Sequence, residues 1–162
     1  MDFRIDVEIL EIAGYPSIVY IESNSDRSRK NQLATLAKYF KREMRIDNLQ
    51  YDQSMYRNDD LVGFLFLHRA MDLVKSEDHF PSRVIGGGVF VHRHNSFELD
   101  WVWLHPFSRN RRILRENWKA FQTRFGQFSV ASPLSAHMSD FIKKHHTPPR
   151  DQGATGGPCG DA

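Results

Sequence analysis

The sequence predicts a mixed α/β domain. Apolar residues repeat with period two in several short stretches and at helical spacing in three longer ones, and the two patterns alternate regularly after residue 84. The 162 residues carry 22 Lys and Arg against 20 Asp and Glu, and 40% are hydrophobic. That is the profile of a globular chain long enough to bury its own core.

The elements follow in order. In residues 3–12, Phe3, Ile5, Val7 and Ile9 alternate with Arg4, Asp6 and Glu8, as in a half-buried strand. Gly14, Tyr15, Pro16 and Ser17 then turn the chain into a second strand at Ile18–Ile21, the hairpin partner of the first. Over residues 27–45, Leu33, Leu36, Ala37, Phe40 and Met44 recur at helical spacing, with Arg29, Lys30, Lys38, Lys41, Arg42 and Arg45 on a solvated basic face. Residues 46–60 are polar and irregular. The apolar run 61–74 fits a strand or a helix, and a strand over 61–68 is preferred.

Residues 83–92 hold Val84, Ile85, Val89, Phe90 and Val91 around Gly86, Gly87 and Gly88, a strand with a bulge or a close backbone approach. Residues 97–104 alternate cleanly as a strand, with Phe97, Leu99, Trp101 and Trp103 on one face and Glu98, Asp100, Val102 and Leu104 on the other. Leu114, Trp118, Phe121 and Phe125 then predict a helix over 109–125, ended by Gly126. A short strand at 128–131 and a helix over 135–146, with Met138, Phe141 and Ile142 inward, complete a single domain at 1–146. The Pro- and Gly-rich residues 147–162 contain almost nothing apolar and are expected to be a disordered tail.

Several classes are excluded at this level. No apolar run approaches the roughly 18 residues of a membrane-spanning helix, and the acidic-apolar N-terminus is no secretory signal. The single cysteine, Cys159, permits no intrachain disulfide and favours a cytoplasmic address. Eight histidines occur without Cys-x-x-Cys or His-Glu-x-x-His spacing, so no metal is expected.

Chemistry concentrates where the 97–104 strand runs through a polar turn into a helix. Free N–H groups and the helix dipole make such a junction a natural phosphate site. From Arg109 to Arg124 there are six basic residues and one acid, Glu116. A solvated basic helix face is the plainer account of the same charges.

Residues 104–114, Leu-His-Pro-Phe-Ser-Arg-Asn-Arg-Arg-Ile-Leu, resemble the signature of the GNAT superfamily of acyl-CoA-dependent N-acetyltransferases. That signature is a strand, a short loop, then Arg/Gln-x-x-Gly-x-Gly/Ala opening a helix, and Arg109 falls on its first position. The resemblance spans about 61–146. It implies a mostly antiparallel central sheet flanked by helices, acetyl-CoA as co-substrate and an amine acceptor, either a small molecule or a protein. On this reading Arg109, Asn110, Arg111, Arg112, Ile113 and Leu114 hold the pyrophosphate, and main-chain groups at Trp103 and Leu104 orient the thioester and pantetheine. Arg112 and Leu114 depart from the pattern, standing where small residues let the backbone approach the phosphates.

The same resemblance offers Glu98, eleven residues before Arg109, as the base for the acceptor ammonium, with Asp100 second. An ordinary polar strand face is the alternative for both. A Tyr that many relatives carry on the last helix is replaced here by Phe141 and Ile142. Ser132, Ser135 and His137 lie in a segment similar to one in cohesin acetyltransferases, although Ser135 is also a natural helix N-cap. Two other functions fit the sequence: a non-catalytic acyl-CoA-binding protein, and a basic nucleic-acid-binding module using the two Arg/Lys-rich helices.

Overall fold

The computed structural model describes residues 16–69 and 82–146. The expected strand at 3–12, the end of the 61–74 run and the tail from 147 lie outside these residues. The order is β1 (Ile18–Ile21), α1 (Arg27–Met44), a 3-10 turn (Gln53–Met55), β2 (Leu61–Arg69), β3 (Ser82–Arg93), β4 (Ser96–Leu104), a second 3-10 turn (Pro106–Ser108), α2 (Ile113–Phe125), β5 (Ser129–Val130) and α3 (Ala136–His145).

The strands form one sheet in the order β1-β2-β3-β4-β5, antiparallel up to β4 and parallel between β4 and β5. His94 and Asn95, both with positive φ, make the tight turn that joins β3 to β4. α1 covers one face: Leu33, Leu36 and Ala37 pack on Leu65, Val89, Trp101 and Trp103. α2 covers the other, where Trp118, Phe121 and Phe125 meet Phe64, Phe66, Phe90 and Phe128. Ring centroids in this second core lie as close as 4.0 Å, for Phe90 on Phe125, so it is an interlocked aromatic layer. Asp26 caps α1 by accepting from Arg29 N, and Ser135 caps α3 by accepting from Met138 N.

Two expectations are corrected. The face alternation of β4 does not run unbroken: Leu99 pairs with Phe90 and Trp101 with Val89, which leaves Asp100 as an extra residue in a bulge. Past the bulge the faces exchange. Phe97 and Leu99 share the α2 side with Val102 and Leu104, while Trp101 and Trp103 face α1. The second helix of the sequence pattern also begins later than expected, at Ile113 and not 109, because Asn110 and Arg112 both have left-handed backbone, φ 61 and 62.

The Gly86–Gly88 run is continuous strand. A Cβ at Gly87 would sit 2.8 Å from Leu36 Cδ1 and against the Phe64 carbonyl, and one at Gly88 would sit 2.8 Å from the Phe64 ring. α1 therefore approaches the sheet across Gly87, a position without a side chain, and Gly88 leaves room for the Phe64 ring. Gly87→Ala is expected to destabilise the fold by about 1–3 kcal/mol through overpacking, read as a lower urea midpoint with an unchanged slope.

Candidate active site

The site begins where two strands part. β5 meets β4 at Glu98↔Ser129 and Leu99↔Val130, and Ala131 N adds a bond to Leu99 O of 2.9 Å. The chain then leaves for α3. Farther along β4 the carbonyls of Trp101 and Trp103 lie against Gly88 and Gly86 of β3. Strand alternation turns the main-chain groups of Val102 and Leu104 to the opposite edge, into the gap.

At the mouth of this gap is a cavity of about 460 Å³. Its walls are the end of β4 (Trp103, Leu104), the loop and first turn of α2 (Ser108, Arg109, Asn110, Arg112 to Arg115), one side of α3 (Ser135, His137, Met138, Phe141, His145) and the end of α1 (Glu43, Met44). The first main-chain bond of α2 runs from Glu116 N to Arg112 O, so the N–H groups of Ile113, Leu114 and Arg115 precede the helical ladder. Arg112 occupies the N-cap position and makes no side-chain capping bond. With three arginines against one glutamate on the walls, and the dipole of a 13-residue helix behind them, this end of the cavity suits an anion.

The Arg109 guanidinium points back toward α1. Its Nε donates to Leu104 O at 2.9 Å, and its Nη1 and Nη2 donate to the two Glu43 oxygens at 2.8 and 2.7 Å. Glu43 Oε2 also accepts from Trp103 Nε1 at 2.8 Å. The Arg109 hydrogen bond, aided by that of Trp103, holds the Glu43 carboxyl below its ordinary value of 4.5, against an opposing effect of burial.

The two β4 carboxylates lie farther up the strand and outside the cavity walls. Glu98 accepts from Ser129 Oγ at 3.4 Å and has Arg93 Nε at 3.7 Å. Asp100, half-buried at the bulge, has its carboxyl pushed above the usual value by burial and by neighbouring Glu98, with Arg93 opposing.

Of the residues singled out from sequence, the cavity gathers Trp103, Leu104, Arg109, Asn110, Arg112, Ile113, Leu114 and Ser135, and also His137. Arg111 is exposed beside it. The sequence reading took Met44 and Met138 only as inward apolar residues of their helices and assigned neither Glu43 nor His145 to the site. Met138 and His145 follow from the spacing of α3 around Phe141, whereas Glu43 lies 66 residues from Arg109 and leaves no local trace. Among the described residues, no group of three or more His, Cys, Asp or Glu is placed to hold a metal ion, and no helix is long and apolar enough to cross a membrane.

The architecture is shared with known acetyltransferases. An aminoglycoside acetyltransferase from an uncultured soil metagenomic sample superposes with a TM-score of 0.53 at 12% identity, over 89% of this chain and 95% of that one. A ribosomal-protein-alanine N-acetyltransferase from Brucella melitensis biovar Abortus 2308 gives 0.53 at 9%, over 85% and 94%. Tetrahymena GCN5 gives 0.52 at 13%, over 88% and 90%. No family model matches the sequence, and no curated protein does. The fold is that of the GNAT acetyltransferases.

Two measurements probe the site's construction. Left-handed backbone is costly for a residue with a Cβ, so Arg112→Gly should raise stability by up to about 1 kcal/mol after the loss of chain entropy, whereas Arg112→Ala should not. Urea titrations of the two variants check this. A carboxylate whose pKa is lowered by folding stabilises the native state above its unfolded value, and that contribution is lost as pH falls below 4.5. Glu43→Gln should therefore lose less stability than the parent chain between about pH 6 and about pH 3, as read by denaturant unfolding at each pH.

Proposed function

We propose that this chain transfers an acetyl group from acetyl-CoA to an amine. The observation that carries the reading is the parting of β4 from β5 over a cavity closed by the uncapped, arginine-rich start of α2, in a fold shared with acetyltransferases. The first turn of α2, with Arg112 and Arg115, would hold the pyrophosphate. The Val102 and Leu104 main-chain groups would align pantetheine and thioester in the gap. Solved structures of the same fold include the xEco2 acetyltransferase domain bound to a K105-CoA conjugate, which supports a coenzyme A donor here.

The acceptor arrives as an ammonium ion and must lose a proton before it can attack. Glu98 or Asp100 takes that proton through water, and burial at the bulge raises the Asp100 carboxyl above its ordinary value, which favours proton uptake there. The free amine adds to the thioester carbonyl, the C–S bond breaks, and the thiolate leaves. On the α3 wall the side chains able to return a proton to sulfur are His137 and His145, one helical turn to either side of Phe141. Ser135 is already engaged as a helix cap.

A second reading, coenzyme binding without turnover, draws on Phe141, which puts a hydrocarbon ring on the wall where a phenol would serve as an acid. Calorimetric titration with acetyl-CoA tests both readings at once, and the absence of binding at millimolar coenzyme would reject both. Thiol release in the presence of an amine and peptide panel separates them. Asp100→Asn or Glu98→Gln, whichever removes the base, should lower turnover by about a hundredfold or more at unchanged coenzyme affinity. Full turnover in both variants would free the carboxylates of this role.

A further inference from the structure

Glu43 stands at the C-terminal turn of α1, yet all three of its hydrogen-bond donors belong to the β4 end and its loop. Arg109 grips it with two parallel N–H···O bonds, Trp103 donates its indole N–H, and Arg109 Nε is fastened to the Leu104 carbonyl. Trp103 is itself immobilised: it is buried, stacks on Tyr39 of α1 with centroids 5.3 Å apart, and lies under the Arg109 guanidinium at 5.9 Å. The arginine at the first position of the phosphate loop is thus directed by its partners away from the first turn of α2. Its charge is balanced inside a three-residue lock between helix and strand.

We propose that Glu43 is a positioning residue that sets the conformation of the 105–112 loop, and through it the affinity for coenzyme, by holding Arg109 and Trp103 together. This rests on the coenzyme reading above for its functional consequence, although the mechanical part stands on geometry alone. The lock matters at this place because the loop must carry two left-handed residues, Asn110 and Arg112, before α2 can start. A loop in sparsely populated backbone persists only where its surroundings over-determine it. Glu43 contributes charge-assisted bonds to a partly solvated pair (side chains 38% and 30% exposed), so its worth is geometric more than coulombic.

The test uses the full chain with Glu43→Gln, Arg109→Gln and the double variant. Hydrogen exchange of the 105–112 amides, without coenzyme, should quicken about tenfold in each single variant, while the amides of β2 and β3 keep their protection. Acetyl-CoA affinity should weaken about tenfold in either single variant and no further in the double one. KM for coenzyme should rise at unchanged kcat. Loop exchange and affinity both unaltered by Glu43→Gln would overturn the proposal and leave the coenzyme reading intact. Tighter binding in Glu43→Gln would also overturn it, marking the carboxylate as a competitor of phosphate for Arg109. A parent chain that binds no acetyl-CoA but whose loop exchange quickens in the variant would reject the coenzyme reading and support the mechanical one.

Discussion

One extra residue in β4 decides most of what this molecule presents to a ligand. Asp100 has no counterpart on β3, and the strand that enters its bulge with Leu99 toward α2 leaves it with Trp101 and Trp103 toward α1. Trp103 can then meet Tyr39 and Glu43, and the lock on Arg109 follows. The hydrogen-bonding edge of Val102 and Leu104 turns away from β3 at the place where β5 departs. A side-chain slip of one position would bury the tryptophans in the phenylalanine layer and take the Trp103 indole away from Glu43 of α1.

The two cores do different work around this bulge. On the α2 face, rings packed edge to face, tilted and stacked make a stiff backing for the strands. On the α1 face the packing is aliphatic near Leu33 and Leu36 but becomes aromatic and polar toward Glu43. α1 therefore sits on the sheet by hydrophobic contact at its centre and by directional bonds at its C-terminal end, the end beside the cavity. The arrangement assigns rigidity to one layer and alignment to the other.

Much of the fold could be read from periodicity. Helices at residues 27–45 and 135–146 and strands near 61, 83 and 97 lie where the apolar spacing places them, to within a few residues. What escaped were features that spacing does not encode. A bulge adds a residue without altering composition, so the pattern of 97–104 looks like clean alternation while the chain exchanges faces inside it. The start of α2 escaped because arginines are good helix formers, and nothing local announces that two of the residues before Ile113 are left-handed. The arginine-rich loop stood out by charge, whereas Glu43 did not, because a partner 66 positions away becomes visible only when helix and strand are packed.

Arg112 has a consequence of another kind. Every arginine codon is a single nucleotide change from a glycine codon, so relief of the left-handed strain at this position is within immediate mutational reach. An arginine there costs backbone energy that a glycine would not. What Arg112 adds over glycine is a cation at the cavity wall, and not the shape of the turn.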